Sequence, residues 1–224
     1  MEYVLRIVGA AIAPYLVGSI PWAVIVVKVF WKQDIRTLGS GNTGATNVLR
    51  VFGTAPGLAV LFLDALKGAV GVWLAVMFVP AEWASGADWF SVLRAMAAVA
   101  GHSFSPFIGF RGGKGVATAA GAIISVAPKV APVMVIIFVI VVAIWKYVSL
   151  GSIVIAILFP GVSWLLYPGR YALLLFAIVV AALVIWRHRS NIGRIRRGEE
   201  HRITFRRRTW DELKHRQSDG SDTQ

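Results

Sequence analysis

The sequence contains no cysteine. That absence excludes disulfide frameworks, thiolate nucleophiles and thiolate metal sites, and it leaves the redox compartment open. Charge is also scarce, at 15% of residues, where soluble domains carry roughly 25%. The few histidines, aspartates and glutamates show no grouping with metal-ligand spacing, so no metal is implied. What fills the chain instead is apolar: 57% of its 224 residues are hydrophobic and the mean hydropathy is +0.70. A soluble domain could not hide runs as continuous as 133–144 or 171–186, so lipid must be the solvent for much of the surface.

The formal charge of +12 raises the question of nucleic acid. The basic residues sit in short connections and in one dense stretch after Trp186, without interleaved aromatics, a distribution that reads as membrane topology and not as a nucleic-acid surface. The start, Met1-Glu2-Tyr3, lacks the basic region of a cleaved signal, and the apolar segment behind it runs long, to about Phe30; the first helix is therefore expected to stay. Apolar length and Gly, Pro or charge breaks place helices at 3–30, 54–79, 89–107, 115–128, 130–147, 150–167 and 171–187. The fold class that follows is an all-α integral membrane protein with seven transmembrane helices, or six if one of the segments at 89–107 and 115–128 is broken or interfacial. Residues 1–208 form one transmembrane domain in this reading, and 209–224, ending in DGSDTQ, read as a disordered tail.

Orientation follows from the connections, because basic loops are retained in the cytoplasm. The first carries Lys32, Arg36 and Arg50, the third Arg111 and Lys114, and the last helix is followed by Arg187, Arg189, Arg194, Arg196 and Arg197. The second, around Glu82 and Asp88, has no basic residue before Arg94, while Lys129 and Arg170 are isolated on the outer side. The amino terminus is thus expected outside and the carboxyl end in the cytoplasm.

Three polar segments fall on that cytoplasmic side. LGSGNTGATNVLR, 38–50, combines glycines with the hydroxyls of Ser40, Thr43 and Thr46 and a late forked cation, Arg50; such a loop suits phosphate, although Gly41 and Gly44 also suit close helix packing. GHSFSPFIGFRGGKGVAT, 101–118, sets Gly112, Gly113, Lys114 and Gly115 directly before an apolar helix. Unpaired N–H groups at a helix start, glycines and a lysine make an anion cradle. It is not a Walker A loop, since Ile108 holds the leading glycine position and Gly115 the Ser/Thr position. In RHRSNIGRIRRGEEHR, 187–202, most arginines read as a lipid-headgroup anchor, while His188 and Asn191, three apart, share a face if the helix continues. Within the second span, Asp64 and Lys67 are three apart and read as a local ion pair.

Taken together, GSGNTGATNVLR, GHSFSPFIGFRGGKGVAT and HRSNIGRIRRGEE, with LDALKG at 63–68, resemble in order the signature motifs of the bacterial acyl-phosphate:glycerol-3-phosphate acyltransferases (PlsY), over about 18–200. The resemblance implies seven helices, a multi-pass place in the bacterial inner membrane and an active site facing the cytoplasm. It implies transfer of an acyl group from acyl phosphate to the first hydroxyl of glycerol 3-phosphate, giving lysophosphatidate and inorganic phosphate. By the motif matches, His188 and Asn191 would be catalytic, and Ser40, Asn42, Thr46, Asn47, Arg50, His102, Gly112, Gly113, Lys114 and Gly115 would bind substrate phosphate. Glu199 matches a motif glutamate with a structural role. No cofactor is implied, and the partners are the two substrates and membrane lipid, with no obligate protein partner and no nucleic acid. Two departures stand out: Arg111 where the family often has lysine, and Arg196 and Arg197 in place of apolar residues.

An acyl phosphate is a mixed anhydride with a good leaving group, so positioning and charge neutralisation can carry the reaction without a strong nucleophile. Direct attack by the glycerol hydroxyl is expected, its proton going to substrate phosphate or to His188. The soluble-type acyltransferase route would need a His-x4-Asp pair, and none of the four histidines has aspartate five positions on. A transporter for a phosphorylated solute is the other class the basic clusters suit, but the sequence lacks a convincing internal repeat.

Overall fold

The computed structural model describes residues 2–75 and 88–203, with side chains from residue 8 onward. The regular elements there are all helical: α1 (Glu2–Ser19), α2 (Trp22–Trp31), α3 (Ala45–Phe52), α4 (Thr54–Leu74), α5 (Asp88–Ser103), α6 (Val116–Val126), α7 (Val130–Trp145), α8 (Val148–Leu166), α9 (Tyr171–Arg187) and α10 (Arg189–Arg196). The expected tail at 209–224 and the end of the second expected helix at 76–79 lie outside the described residues. The composition of α7, VAPVMVIIFVIVVAIW, would favour a strand in water, because β-branched residues fit a pleated surface. In hydrocarbon every backbone polar group needs an internal partner, and a single segment achieves that only as a helix.

Among the described residues, three helical stretches are long and apolar enough to cross a bilayer: Val8–Trp31, Thr54–Leu74 and Val148–Leu166. Tyr171–Arg187 joins them if it is counted with Arg189–Arg196, from which it is bent by 58°. Val116–Val126 and Val130–Trp145 are shorter apolar helices. The integral membrane, all-helical class expected from the sequence is therefore what the chain adopts.

The first span is broken where the sequence reading had one helix. Pro21 has no N–H to continue the ladder and disfavours helical backbone at Ile20, so α1 ends at Ser19 and α2 begins at Trp22. The carbonyls freed by the break are taken up by buried side chains of other segments. Ser105 Oγ donates to the Ser19 carbonyl at 2.6 Å, and Lys67 Nζ to the Ile20 carbonyl at 2.7 Å.

Two helix crossings rest on glycine on both sides. A Cβ at Gly18 would collide with the Ala98 carbonyl and one at Gly101 with the Tyr15 carbonyl, where α1 meets α5; Gly68 and Gly121 stand in the same relation to Thr118 and Ala65 where α4 meets α6. Without hydrophobic drive between helices in lipid, such close backbone approach supplies the packing. The larger core, from α4 to α9, closes around the fully buried Leu173 and Phe176, with Phe159 edge-on to Phe176 at 5.8 Å. A smaller one joins α2, α3 and α4 through Val27, Val48 and Val60. The outer faces expose Phe62, Ile136, Ile157 and Leu165, as lipid contact requires.

Candidate functional site

The three polar segments meet at one end of the bundle. Each is brought there differently. In the first, Asn47 on the opening turns of α3 works as a clamp: its side-chain oxygen accepts the Ser40 N–H at 2.9 Å, and its amide donates to the carbonyls of Leu38 at 3.0 Å and Ile35 at 3.3 Å. The loop is thereby folded back on α3, which places Ser40, Asn42, Thr46 and Arg50 on the wall of one cavity. Asn47 is itself buried and hydrogen-bonded on both sides of its amide, so it holds the loop's shape.

In the second segment, the Gly112 N–H donates to the Ser103 carbonyl and the Gly113 N–H to the His102 carbonyl, both at 3.2 Å. These two amides were expected to face phosphate; they are spent on the loop's own hairpin. Their carbonyls are held from the other side by Arg187, whose guanidinium donates to Gly113 O at 2.8 and 3.1 Å and also to Gly112 O. The close approach requires glycine at 113, because a Cβ there would strike the His102 ring. Gly115, at φ 82, takes a left-handed turn that suits glycine and starts α6. The first turn of α6, with amides that have no partner inside the helix, lines the cavity at Val116 and Ala117.

In the third segment the chain bends after Arg187. His188 is buried, and its Nδ1 lies 2.8 Å from the Val184 carbonyl. A carbonyl only accepts, so Nδ1 carries the proton, and Nε2 of the neutral ring keeps a lone pair. Asn191, on α10, accepts a hydrogen bond from Lys114 Nζ and donates to Glu200 Oε1 at 3.0 Å. His188, Asn191, Lys114, Gly115 and His102 all line the same cavity as the first loop.

Glu200 is the hub that ties the segments together. Besides Asn191, it meets Arg194 Nε at 2.8 Å, Ser149 Oγ at 3.1 Å and Arg50 Nη2 at 3.3 Å. The sequence reading had assigned the structural glutamate to Glu199. That is corrected here: Glu199 is exposed and pairs with Arg197 at the surface, whereas Glu200 is 5% exposed. The turn at Gly198, φ 72, sends the two neighbours in opposite directions. The unusual Arg111, Arg196 and Arg197 are all exposed.

Electrostatically, Arg50, Lys114 and Arg194 gather around one carboxylate, with Arg187 beside Lys114. Burial pushes the Lys114 ammonium down to about 8; Glu200 opposes this, and Arg194, Arg50 and Arg187 reinforce it. Burial works to raise the Glu200 pKa, but hydrogen bonds from Asn191 and Arg194, the Arg194 charge and the Ser149 hydroxyl together hold it below its ordinary value. The mouth is thus short of negative charge, and an anion would complete it.

Below the mouth the cavity, about 770 Å³, turns apolar. Its walls there are residues such as Ala119, Ile123, Met134, Ala156 and Phe159. On the wall near His102 lies a second buried charge group. Asp64 Oδ1 is 2.8 Å from Lys67 Nζ and 3.6 Å from His102 Nδ1. The Asp64–Lys67 pairing expected from their spacing is present, and Lys67 serves in addition as the cap for the break in the first span.

Residues 8–198 match the family model described as glycerol-3-phosphate acyltransferase. The glycerol-3-phosphate acyltransferase of Halalkalibacterium halodurans is 43% identical over 203 residues, which cover 88% of this chain and 96% of that protein. That of Staphylococcus carnosus is 42% identical and covers 90% of this chain and all, 100%, of its own. Among solved structures, the integral membrane glycerol 3-phosphate acyltransferase PlsY in its glycerol 3-phosphate form is similar with a TM-score of 0.77 and 39% identity, covering 91% of this chain and 96% of that one. Its lysophosphatidic acid form gives a TM-score of 0.76 and 36% identity, covering 96% and 100%. An anion-seeking mouth over an apolar cavity, in a helical membrane chain with relatives of this length and identity, leads to one assignment: the chain belongs to the glycerol-3-phosphate acyltransferase family, membrane enzymes of phospholipid synthesis.

Proposed function

We propose that this chain transfers a fatty acyl group from an acyl phosphate to the sn-1 hydroxyl of glycerol 3-phosphate, releasing lysophosphatidate and inorganic phosphate, the first step of bacterial phospholipid synthesis. The observation that carries the reading is the continuity of one cavity from a cationic mouth at Arg50 and Lys114 to an apolar interior at Ala156 and Phe159. Both substrates carry a phosphoryl group and one carries a fatty chain, so only a site with both halves can seat them together. The relatives' glycerol 3-phosphate and lysophosphatidic acid forms support the same substrate and product here.

The phosphoryl groups are bound by Ser40, Asn42, Thr46, Arg50, Lys114 and the start of α6 after Gly115. Asn47, His102, Gly112 and Gly113 give the two loops their shape. Arg50 offers a fork and Lys114 a point charge, the two modes by which phosphate is held. In the transfer step the glycerol hydroxyl oxygen bonds to the acyl carbon and the bond from that carbon to the phosphate oxygen breaks, with inorganic phosphate leaving. The hydroxyl proton goes to substrate phosphate or to His188 Nε2, and Asn191 keeps Lys114 aimed. Most of the acceleration comes from holding reactants in place and from neutralising phosphate charge. No cofactor, metal or protein partner is called for.

The wider arrangement belongs to the same reading. Residues 1–208 form one catalytic domain with seven crossings, the amino terminus outside and the mouth facing the cytoplasm across the inner membrane. The surplus of basic residues beside the three polar segments supports that orientation. Cysteine tagging near residues 45, 113 and 190 in intact cells is expected to give cytoplasmic accessibility at all three, and outside labelling at any one would reverse it.

Purified protein in detergent, given palmitoyl phosphate and glycerol 3-phosphate, is expected to yield lysophosphatidate and phosphate in equal amounts. Uptake of glycerol 3-phosphate into vesicles without lysophosphatidate would make the chain a transporter. An acyl-enzyme accumulating in single turnover would replace direct attack with a covalent route.

A further inference from the structure

The apolar part of the cavity has a measurable depth. Three helices carry residues of the mouth at one end and lining residues further in. On α8, Ser149 is at the mouth and Phe159 is the last lining residue along the helix, ten positions on, roughly 15 Å along a helix. From His188 back to Val180 on α9 the distance is eight positions, and from Gly115 forward to Ile124 on α6 it is nine, roughly 12–14 Å. On the α8–α9 side the packing closes at that level. Phe159 is 3% exposed and stands edge-on against Phe176, which is fully buried beside Leu173.

A saturated chain zigzags on carbon–carbon bonds of about 1.5 Å, so about 10–12 carbons fill such a depth when extended. Longer chains have a way out. Ile124, Val135 and Val139 line the cavity and are also exposed on the outer surface of the bundle, each by more than half (55%, 51% and 55%). The side of the chamber between α6 and α7 therefore opens toward lipid.

We infer that Phe159, backed by Phe176, is the floor of the acyl chamber and sets how many carbons of the acyl phosphate are enclosed before the chain turns out between α6 and α7. The inference rests on the acyl-transfer reading above and adds the residue that measures the chain. Ala156 is the place to move the floor: it is buried, lines the cavity and sits one turn before Phe159 on α8. A large side chain there would raise the floor by about one helical turn, roughly 5 Å, the length of about four carbons on the same bond geometry.

The test is a competition. The protein is given an equimolar mixture of decanoyl, dodecanoyl, tetradecanoyl and hexadecanoyl phosphates with glycerol 3-phosphate, and the lysophosphatidates are resolved by mass spectrometry, so that product ratios read relative kcat/KM. Ala156→Phe is expected to deplete the 14- and 16-carbon products relative to the 10-carbon one by severalfold against the parent, since the longer chains lose enclosed van der Waals contact that the shorter one keeps. Ala156→Leu moves the ratios the same way by a few fold, and serves if the phenylalanine variant does not fold. Phe159→Ala moves them toward longer chains. Parent-like ratios from active Ala156 variants overturn the floor. If the parent makes no lysophosphatidate from any donor, the acyl-transfer reading falls instead. Thermal stabilisation by non-reacting alkyl phosphates of the same lengths then decides the floor by itself: a shorter best-binding chain in Ala156→Phe or Ala156→Leu upholds it, and an unchanged one rejects it.

Discussion

Two buried charge clusters use the same parts to opposite ends. Beside the first span, Asp64 meets Lys67, and Lys67 spends a second hydrogen bond on the Ile20 carbonyl; charge is balanced one to one and the donors are directed at protein. At the mouth, Glu200 faces Arg50 and Arg194 while Lys114 is held by Asn191, so cations exceed the carboxylate and face a cavity. A buried ionic group thus reads as structure when its charges balance, and as a site when cations outnumber the carboxylate at a cavity.

That difference can be broken by mutation. The largest effect is expected at Lys114: Lys114→Ala should lower kcat/KM for glycerol 3-phosphate by about 10²–10³, the usual loss for a single electrostatic stabiliser, with the melting temperature in detergent nearly unchanged. Parent-like kinetics at low substrate would remove Lys114 from the site. Lys67→Ala should do the reverse. It leaves buried Asp64 without its ammonium partner at a cost of about 3–5 kcal/mol, read as a large fall in thermal stability, and adding Asp64→Asn to it should recover at least half of the loss. Equal stability of single and double variants would show that Asp64 is not the uncompensated charge.

Smaller changes sharpen the contrast at the hub. Glu200→Gln keeps the shape but weakens the hold on Arg50 and Arg194, and should lower kcat/KM about tenfold, since charge-assisted hydrogen bonds are each worth about 1.5–3 kcal/mol. Glu199→Gln, at an exposed surface pair, should stay within about twofold. Should Glu199→Gln prove the more damaging, the hub would have to be reassigned. The mildest effect is in pH. The charged Lys114 is the form that binds phosphate, and burial brings its pKa down to about 8. The charge is therefore complete below that value and lost above it, so kcat/KM should decline as pH rises past 8. Lys114→Arg, whatever its own activity, should abolish that decline.

The comparison also marks how much was legible in the chain. The helices were readable because lipid enforces long apolar runs, and α9 begins and ends where apolar length alone put it. The three polar segments were readable because glycine, hydroxyl and cation clusters have little other use at a membrane surface. What escaped depends on geometry between segments. Arg187 looked like one more headgroup anchor, although it holds the carbonyls of Gly112 and Gly113 from a helix 74 residues away. Glu199 and Glu200 are adjacent, and only the left-handed turn at Gly198 decides which of them goes inward. The two glycine amides were assigned to substrate because a linear motif does not reveal that His102 and Ser103 fold back to take them. The break at Pro21 was masked by apolar residues on both sides.

The position of Glu200 in the chain has a consequence for biogenesis. Ser40 and Arg50 emerge early, Lys114 midway, and the carboxylate that gathers the mouth emerges only after α10. A nascent chain could therefore insert every helix and still lack the group that arranges its cations. Full catalysis waits until translation has passed residue 200, and shorter copies in the membrane should consume activated fatty acid and release detergent-like product more slowly.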